Sequence, residues 1–586
     1  MHAKVDDRAG PFAPRADAAI AGDPTSVQAL SRIGQDLKSA RTLQRVVALL
    51  QEAVAAIGDG RLEAARDLAL KALELDETSA LSWQVLGIVF EKLSEFASAL
   101  QAYEAALALA PESPAIAFDL SRLAQRLGYL ELAEKLLHKT LASEPGNLDA
   151  VNNLACVLRE QARFGEAIDL LREMLQIEPE HGVLWNTLGT VLSSEGRLRE
   201  SVVFFDEALR LDPRFAKALY NRANVRQGLG EAKAALADIK TAIAMTRDPA
   251  ELDAMRFAQS LVELQLGLLA EGFENYEVRM SPHLEDAVTF ISAGERWTPR
   301  HDLDGADLLV FGEQGVGDEI IFSSILRDAQ QAVGSGRLTV AVEQRLTPLY
   351  ARSLPEATIV PHRTGKQGGH IYRAAELPEG HPEPTLWAPM ASLFQRFRPS
   401  LDAFPSQAGF LKPDPERVAH WRDQLAALGD GLKIGFVWKS LRMDRARKRY
   451  FATFELWRKV LETPGAIFVN LQYGDVAEEL EAARSLGLEI WNPPGIDLKD
   501  DLDDVAALGA ALDLLIGQPN TSVSLGAATG TEWWALCTPD NWARFGAPGY
   551  PIFPQARVFT VRDFIAWDEL MDDVRNALDQ RLRNGG

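Results

Sequence analysis

Two textures of hydrophobic patterning divide the chain. Up to about residue 280 the apolar residues follow amphipathic-helix spacing in paired stretches, four of which close on a proline in one register. These prolines, Pro111, Pro145, Pro179 and Pro213, stand 34 residues apart, and small residues at Ala99, Ala133, Ala167 and Ser201 keep the same register. Beyond residue 280 short continuous apolar runs are followed by glycine-rich turns and then by helical patterning, which predicts strand, turn and helix in succession.

The period is that of tetratricopeptide repeats, and Trp83, Leu86 and Gly87, repeated as Trp185, Leu188 and Gly189, resemble that family's first-helix signature. Tyr103 and Phe205 fall at its second-helix aromatic position. In register the array covers residues 46–249 as six repeats, the outer two more degenerate, after a partly helical extension over 1–45. Linking helices are expected over 250–280. One helical hairpin cannot bury its apolar stripe alone, so stacked hairpins should form a superhelix with a concave groove. In the usual repeat geometry Gln84, Phe118, Asn152, Asn186 and Tyr220 face that groove. The asparagines can donate to and accept from an extended peptide, which makes the row a candidate acceptor ladder; solvated surface is the alternative.

The segment from Ser281 to Asp307 reads as loop. After it, the strand DLLVFGE, the turn QGVG, the helix DEIIFSSILRDAQQAV and the strand RLTVAVE make one βαβ unit. A second set begins at KIGFVW and continues through AIFVNLQY, LEIW, LDLLIG and TEWWALC. The expected fold class is therefore α + α/β: a helical array, then Rossmann-like domains over 281–430 and 431–586 with parallel sheets and a ligand cleft between them.

Composition narrows the function. A formal charge of -22 argues against nucleic acid and anionic membranes as partners, because both call for a broad basic surface. Two distant cysteines exclude a disulfide scaffold and a multi-cysteine zinc cluster. The first residues lack the apolar run of a signal peptide, and no later stretch reaches about 18 apolar residues, so a cytoplasmic location is expected.

The turn from Gly312 to Glu319 is neither a dinucleotide fingerprint nor a P-loop, and no nucleophile elbow lies at a strand end. Transferases and a catalytically silent fold remain. Over roughly residues 300 to 575, the string GEQGVGDEIIF resembles the segment opening the transferase domain of bacterial repeat-linked glycosyltransferases and the Gly-Asp turn of heptosyltransferases. That resemblance implies the two-domain GT-B fold, no catalytic metal, no cofactor, inversion at the anomeric carbon, and Asp318 as general base. Relatives with this layout modify flagellin with nonulosonic acids. The resemblance thus implies a nucleotide-sugar substrate, CMP-linked for such a sugar, and flagellin as the protein acceptor.

Read from the residues themselves, Gly315 and Gly317 let a substrate approach the backbone, and Asp318 and Glu319 open a helix at the cleft. An ordinary N-cap is the plain alternative for Asp318, whose basicity would then await desolvation by substrate. On the donor side, Lys439, Arg442, Arg445, Arg447, Lys448 and Arg449 crowd one loop after a strand, and Lys439 and Arg442 are the expected contacts of a leaving phosphate. A solvated loop is the alternative. The turn from Gln518 to Ser524 offers Asn520, Thr521, Ser522 and Ser524 to a phosphate or carboxylate, or simply caps a helix; the heptosyltransferase pattern of Asp-Thr followed by His is altered here. Gln472 and Tyr473 end a strand where the family contacts base or ribose. Two Asp-Leu-Asp strings, at 302–304 and 501–503, read as surface acid, and Trp533, Trp534, Trp542, Phe545 and Tyr550 as core or cleft wall. The groove and the cleft are expected to be separate surfaces. The competing function is a repeat scaffold with a degenerate transferase domain.

Overall fold

The computed structural model describes residues 24–440, 448–562, 564 and 566–584, with side chains from residue 39 onward. The chain forms two compact units, residues 1–163 and 164–586.

In the first unit, described helices run from Pro24–Gly58 to Leu148–Glu160 as antiparallel pairs. Ala99 and Ala133 are fully buried, so helices cross at the small residues the register picked out. Gly87 is required by contact: a Cβ there would lie 2.8 Å from the Tyr103 ring. Trp83 fixes the turn ahead of its helix by donating to the carbonyl of Glu77 at 3.0 Å.

The second unit opens with the same device. Ala167 and Ser201 are fully buried, a Cβ on Gly189 would meet the Phe205 ring at 2.8 Å, and Trp185 donates to the carbonyl of Pro179 at 2.7 Å. Helices Gly182–Glu195, Leu198–Leu211, Ala216–Gly228 and Ala232–Met245 pair in sequence, followed by Pro249–Gln265 and Leu269–Tyr276.

The remainder of this unit is α/β, as the patterning predicts. A seven-stranded sheet has the order Val288–Ile291, His370–Ala375, Thr358–Gln367, Arg337–Val342, Asp307–Phe311, Leu386–Pro389, Glu295–Arg296. A six-stranded sheet has the order Ile490–Trp491, Ala466–Asn470, Leu432–Phe436, Leu514–Gly517, Trp533–Cys537, Ala556–Thr560, parallel throughout. In the first sheet Thr358–Gln367 and His370–Ala375 form an antiparallel hairpin around Gly368 and Gly369. Two corrections follow. The stretch read as loop contributes two short strands, Val288–Ile291 and Glu295–Arg296, because both find parallel partners at the edges of the sheet. Asp503 is not surface acid: it is buried and takes a bidentate pair from Arg352 at 2.9 and 2.7 Å, joining the two sheet domains.

The helical array is welded to the sheets within this unit. Gln265 donates to the carbonyl of Pro539 at 2.8 Å. Phe273 packs against Phe394 and Phe545, and Tyr276 against Phe322 and Trp542, in one continuous core. Among the described residues, no helix is long and apolar enough to cross a membrane. Cys156 and Cys537 are not joined to one another in a disulfide.

Candidate functional site

Strands Asp307–Phe311 and Leu514–Gly517 each end at a turn that starts a helix, Val316–Phe322 and Thr521–Ala528, and these two helices face one another. Beside them opens a cavity of about 610 Å³. Gly317, Asp318 and Ile321 line it from one helix, and Gln518, Asn520 and Ser524 from the other turn and helix.

Asp318 is not the N-cap of its helix. Gly315 holds that position, and the Asp318 carboxylate accepts the Gly315 N–H, the returning half of a capping box. Burial, followed by the nearby Glu313 and Glu319 carboxylates, raises the Asp318 pKa to about 6, with Arg279 opposing. Its basicity therefore precedes any closure by substrate. Glu313 holds the turn: it takes a two-pronged pair from buried Arg279 at 3.1 Å on each arm and accepts the Ala391 N–H at 2.7 Å.

Glu319, expected on the cleft, points the other way. It is buried, accepts from the Glu343 N–H at 2.9 Å and pairs with His362 at 2.8 Å. A Cβ on Gly312 would come within 2.3 Å of its carboxyl carbon, so that glycine serves this close approach rather than a ligand's. Gly317 has open space where its Cβ would stand and lines the cavity, whereas Gly315 is engaged by Asp318.

The residues expected on the donor side divide. Lys439 donates to the carbonyl of Asp475 at 2.8 Å and pairs with Glu479, which turns its ammonium away from the cavity. Buried Gln472 accepts the N–H groups of Trp438 and Lys439 at 3.1 and 2.9 Å, so its amide holds two strand ends in register. Both expectations are revised by these internal partners. Arg442, with Arg445 and Arg447, lies outside the described residues. Tyr473 and Thr521 line a second, smaller pocket of about 170 Å³ with Val316, Arg345 and Lys499. Asn520 caps its helix by accepting the Val523 N–H at 3.1 Å, while its Nδ2 has no partner among the described residues. Ser522 is buried with an Oγ that has no partner among the described residues, and Ser524 is a buried residue of the cavity wall.

Of the residues expected to form a ladder along the groove, Gln84 and Asn186 bond between repeats. In the first unit Gln84 donates to Asp119 of the next repeat at 2.7 Å, Phe118 is half-buried, and Asn152 donates to Asn153 at 3.3 Å. In the second, Asn186 is buried and accepts from Asn221 at 3.0 Å, and Tyr220 is partly buried against the core that includes Leu209, Leu219 and Met255. Asn186 and Gln84 thus brace neighbouring hairpins across the stack, since position five of one repeat meets position six of the next.

Several cavity residues escaped the sequence reading. Asp540 is a second carboxyl on the wall, raised by burial, accepting from Thr538 at 2.6 Å and from the Tyr450 hydroxyl at 3.0 Å. It follows the strand Trp533–Cys537, and a polar residue just past the carboxyl end of a parallel strand is the signal that pointed to it. Gln227 and Leu261 also line the cavity, from helices Ala216–Gly228 and Pro249–Gln265 of the array. The cleft and the helical array are therefore not separate surfaces in this unit, and nothing in the repeat pattern signalled it.

Residues 64–181 match the cytochrome c-type biogenesis protein H TPR domain, and residues 183–215 a tetratricopeptide repeat. Among solved structures, a tetratricopeptide repeat protein from Parabacteroides merdae is 18% identical, covers 40% of this chain and 91% of its own, with a TM-score of 0.35. PilW, described as a type IV pilus biogenesis factor, is 22% identical and covers 36% of this chain and 98% of its own, with a TM-score of 0.33. Protein FlbA of Caulobacter vibrioides (strain ATCC 19089 / CIP 103742 / CB 15) is 45% identical over 578 residues, which span 98% of this chain and 97% of the relative. With both the repeats and the two-sheet region inside that match, the chain belongs to the FlbA family.

Proposed function

We propose that the protein is a metal-independent, inverting glycosyltransferase that moves a sugar from a nucleotide donor to a Ser or Thr hydroxyl of a protein acceptor, in the cytoplasm. The observation that carries this reading is Asp318, a carboxylate with a pKa raised to about 6 on the wall of a cavity built between two strand-to-helix turns. In the proposed step the acceptor hydroxyl gives its proton to Asp318 as its oxygen bonds to the anomeric carbon. The bond from that carbon to the nucleotide's phosphate oxygen breaks, and the nucleotide leaves with the electron pair. The smaller pocket, with Tyr473, Arg345 and Lys499, suits the donor's phosphate, and the larger cavity its ribose and sugar. Flagellin is the acceptor and a CMP-linked nonulosonic acid the donor that the family resemblance favours.

The test is mass spectrometry of flagellin co-expressed with this protein and a nonulosonic acid pathway. A mass increment on Ser or Thr that disappears with Asp318→Asn supports the reading. An unmodified acceptor with the wild-type chain would favour the scaffold alternative, which the internal fastening of Lys439 and Gln472 makes worth separating.

A further inference from the structure

Gln518 follows directly on the strand Leu514–Gly517 and is 4% exposed, yet both atoms of its amide, Nε2 and Oε1, lack a partner among the described residues. The backbone around it is fixed: Trp533 donates to the Gly517 carbonyl at 3.1 Å, and Pro519 has no N–H to offer. The side chain lines the 610 Å³ cavity together with Asn520, whose Nδ2 is likewise unpartnered. A buried amide left unmatched destabilises the fold, so an amide in this position reads as one arranged for a ligand.

Chemistry limits what that ligand presents. A phosphate or carboxylate offers only lone pairs; it would satisfy Nε2 and leave Oε1 facing negative charge. Gln518 requires a donor and an acceptor side by side. Two adjacent hydroxyls supply both, one accepting from Nε2 and its neighbour donating to Oε1. We infer that Gln518 is a substrate-binding residue that reads a vicinal diol in the cleft, and that this turn holds a neutral, hydroxyl-bearing part of the substrate rather than its phosphate. The inference rests on the glycosyltransferase reading above, which provides two sources of a diol, the ribose of the nucleotide and the transferred sugar.

Isothermal titration of the full chain and of Gln518→Met, which keeps the side chain's length and removes both polar atoms, distinguishes them. The probes are CMP, UDP, their 2′-deoxy counterparts, CMP-N-acetylneuraminic acid and UDP-N-acetylglucosamine. The expected result is a loss of about tenfold to a hundredfold in affinity for at least one probe that the wild type binds, with an unchanged or higher melting temperature. If the ribose is read, the loss appears with CMP or UDP, and the deoxy forms bind wild type and variant alike. If the sugar is read, free nucleotides bind both proteins equally and only the sugar-linked forms weaken. Equal binding of every probe by both proteins overturns this inference while leaving the transferase reading intact, and a wild type that binds none removes both. A melting temperature several degrees lower in Gln518→Met would assign the amide to the fold and overturn the inference too.

Discussion

Adjacent in sequence, Asp318 and Glu319 meet opposite demands. Asp318 lies on the cavity with a carboxyl that burial pushes up to about 6; Glu319 is turned into the sheet and fastened to His362 and to the Glu343 N–H. A carboxyl whose folded pKa lies above its unfolded one binds its proton more tightly in the folded state. Its stabilising effect is full below the unfolded value and lost as pH rises through about 6. Asp318→Asn should therefore raise stability above pH 6, on the order of 1 to 3 kcal/mol, while transfer falls by about a hundredfold or more. Denaturant melts at pH 5 and pH 8 beside a transfer assay check both halves, since the gain should shrink at the lower pH. In the wild type, transfer should decline as pH drops below about 6, when the base is protonated. Glu319→Ala should act in the other direction: it leaves the His362 Nε2 and the Glu343 N–H without their partner and should cost about 3 kcal/mol in the same melts.

Among the elements, the repeats were the most legible in the sequence, because a repeat writes each packing contact several times at a fixed period. Gly189 and Phe205 illustrate it: the glycine exists because the ring fills its Cβ position at 2.8 Å. Gly189→Ala should destabilise by about 1 to 3 kcal/mol, whereas Gly146→Ala, with nothing within 4 Å, should stay within about 0.5 kcal/mol. Urea titration of the two variants decides this. The alternation of strand and helix after residue 306 was likewise readable from apolar runs and glycine turns. The hairpin Thr358–Gln367 with His370–Ala375 was not, since its outer residues are largely exposed and carry no buried run. At the site, Asp318 and the Asn520 turn could be found because strand-to-helix turns have local signatures. Side-chain direction could not: whether Glu319 or Gln472 faces a cleft depends on partners such as His362 and the Trp438 N–H, distant in sequence.

At the scale of the molecule, the compact unit that holds the cavity begins at Phe164 and includes the helices bearing Gln227 and Leu261. A chain starting at residue 164 should bind nucleotide as the full chain does. One starting at residue 250 removes Gln227 and strips Phe564 of Leu198, Val225 and Gly228, so it should melt at a lower temperature and bind more weakly. Thermal melts and titrations of the two truncations separate these outcomes. The bond from Gln265 to Pro539 extends the point, because Asp540, the next residue, stands on the cavity wall. For exchange of acceptor preference between relatives, the repeats are then not a free cassette. A chimaera joined ahead of Phe164 would import foreign hairpins and keep the recipient's cavity whole, whereas a junction near residue 250 would graft one protein's wall onto another's floor.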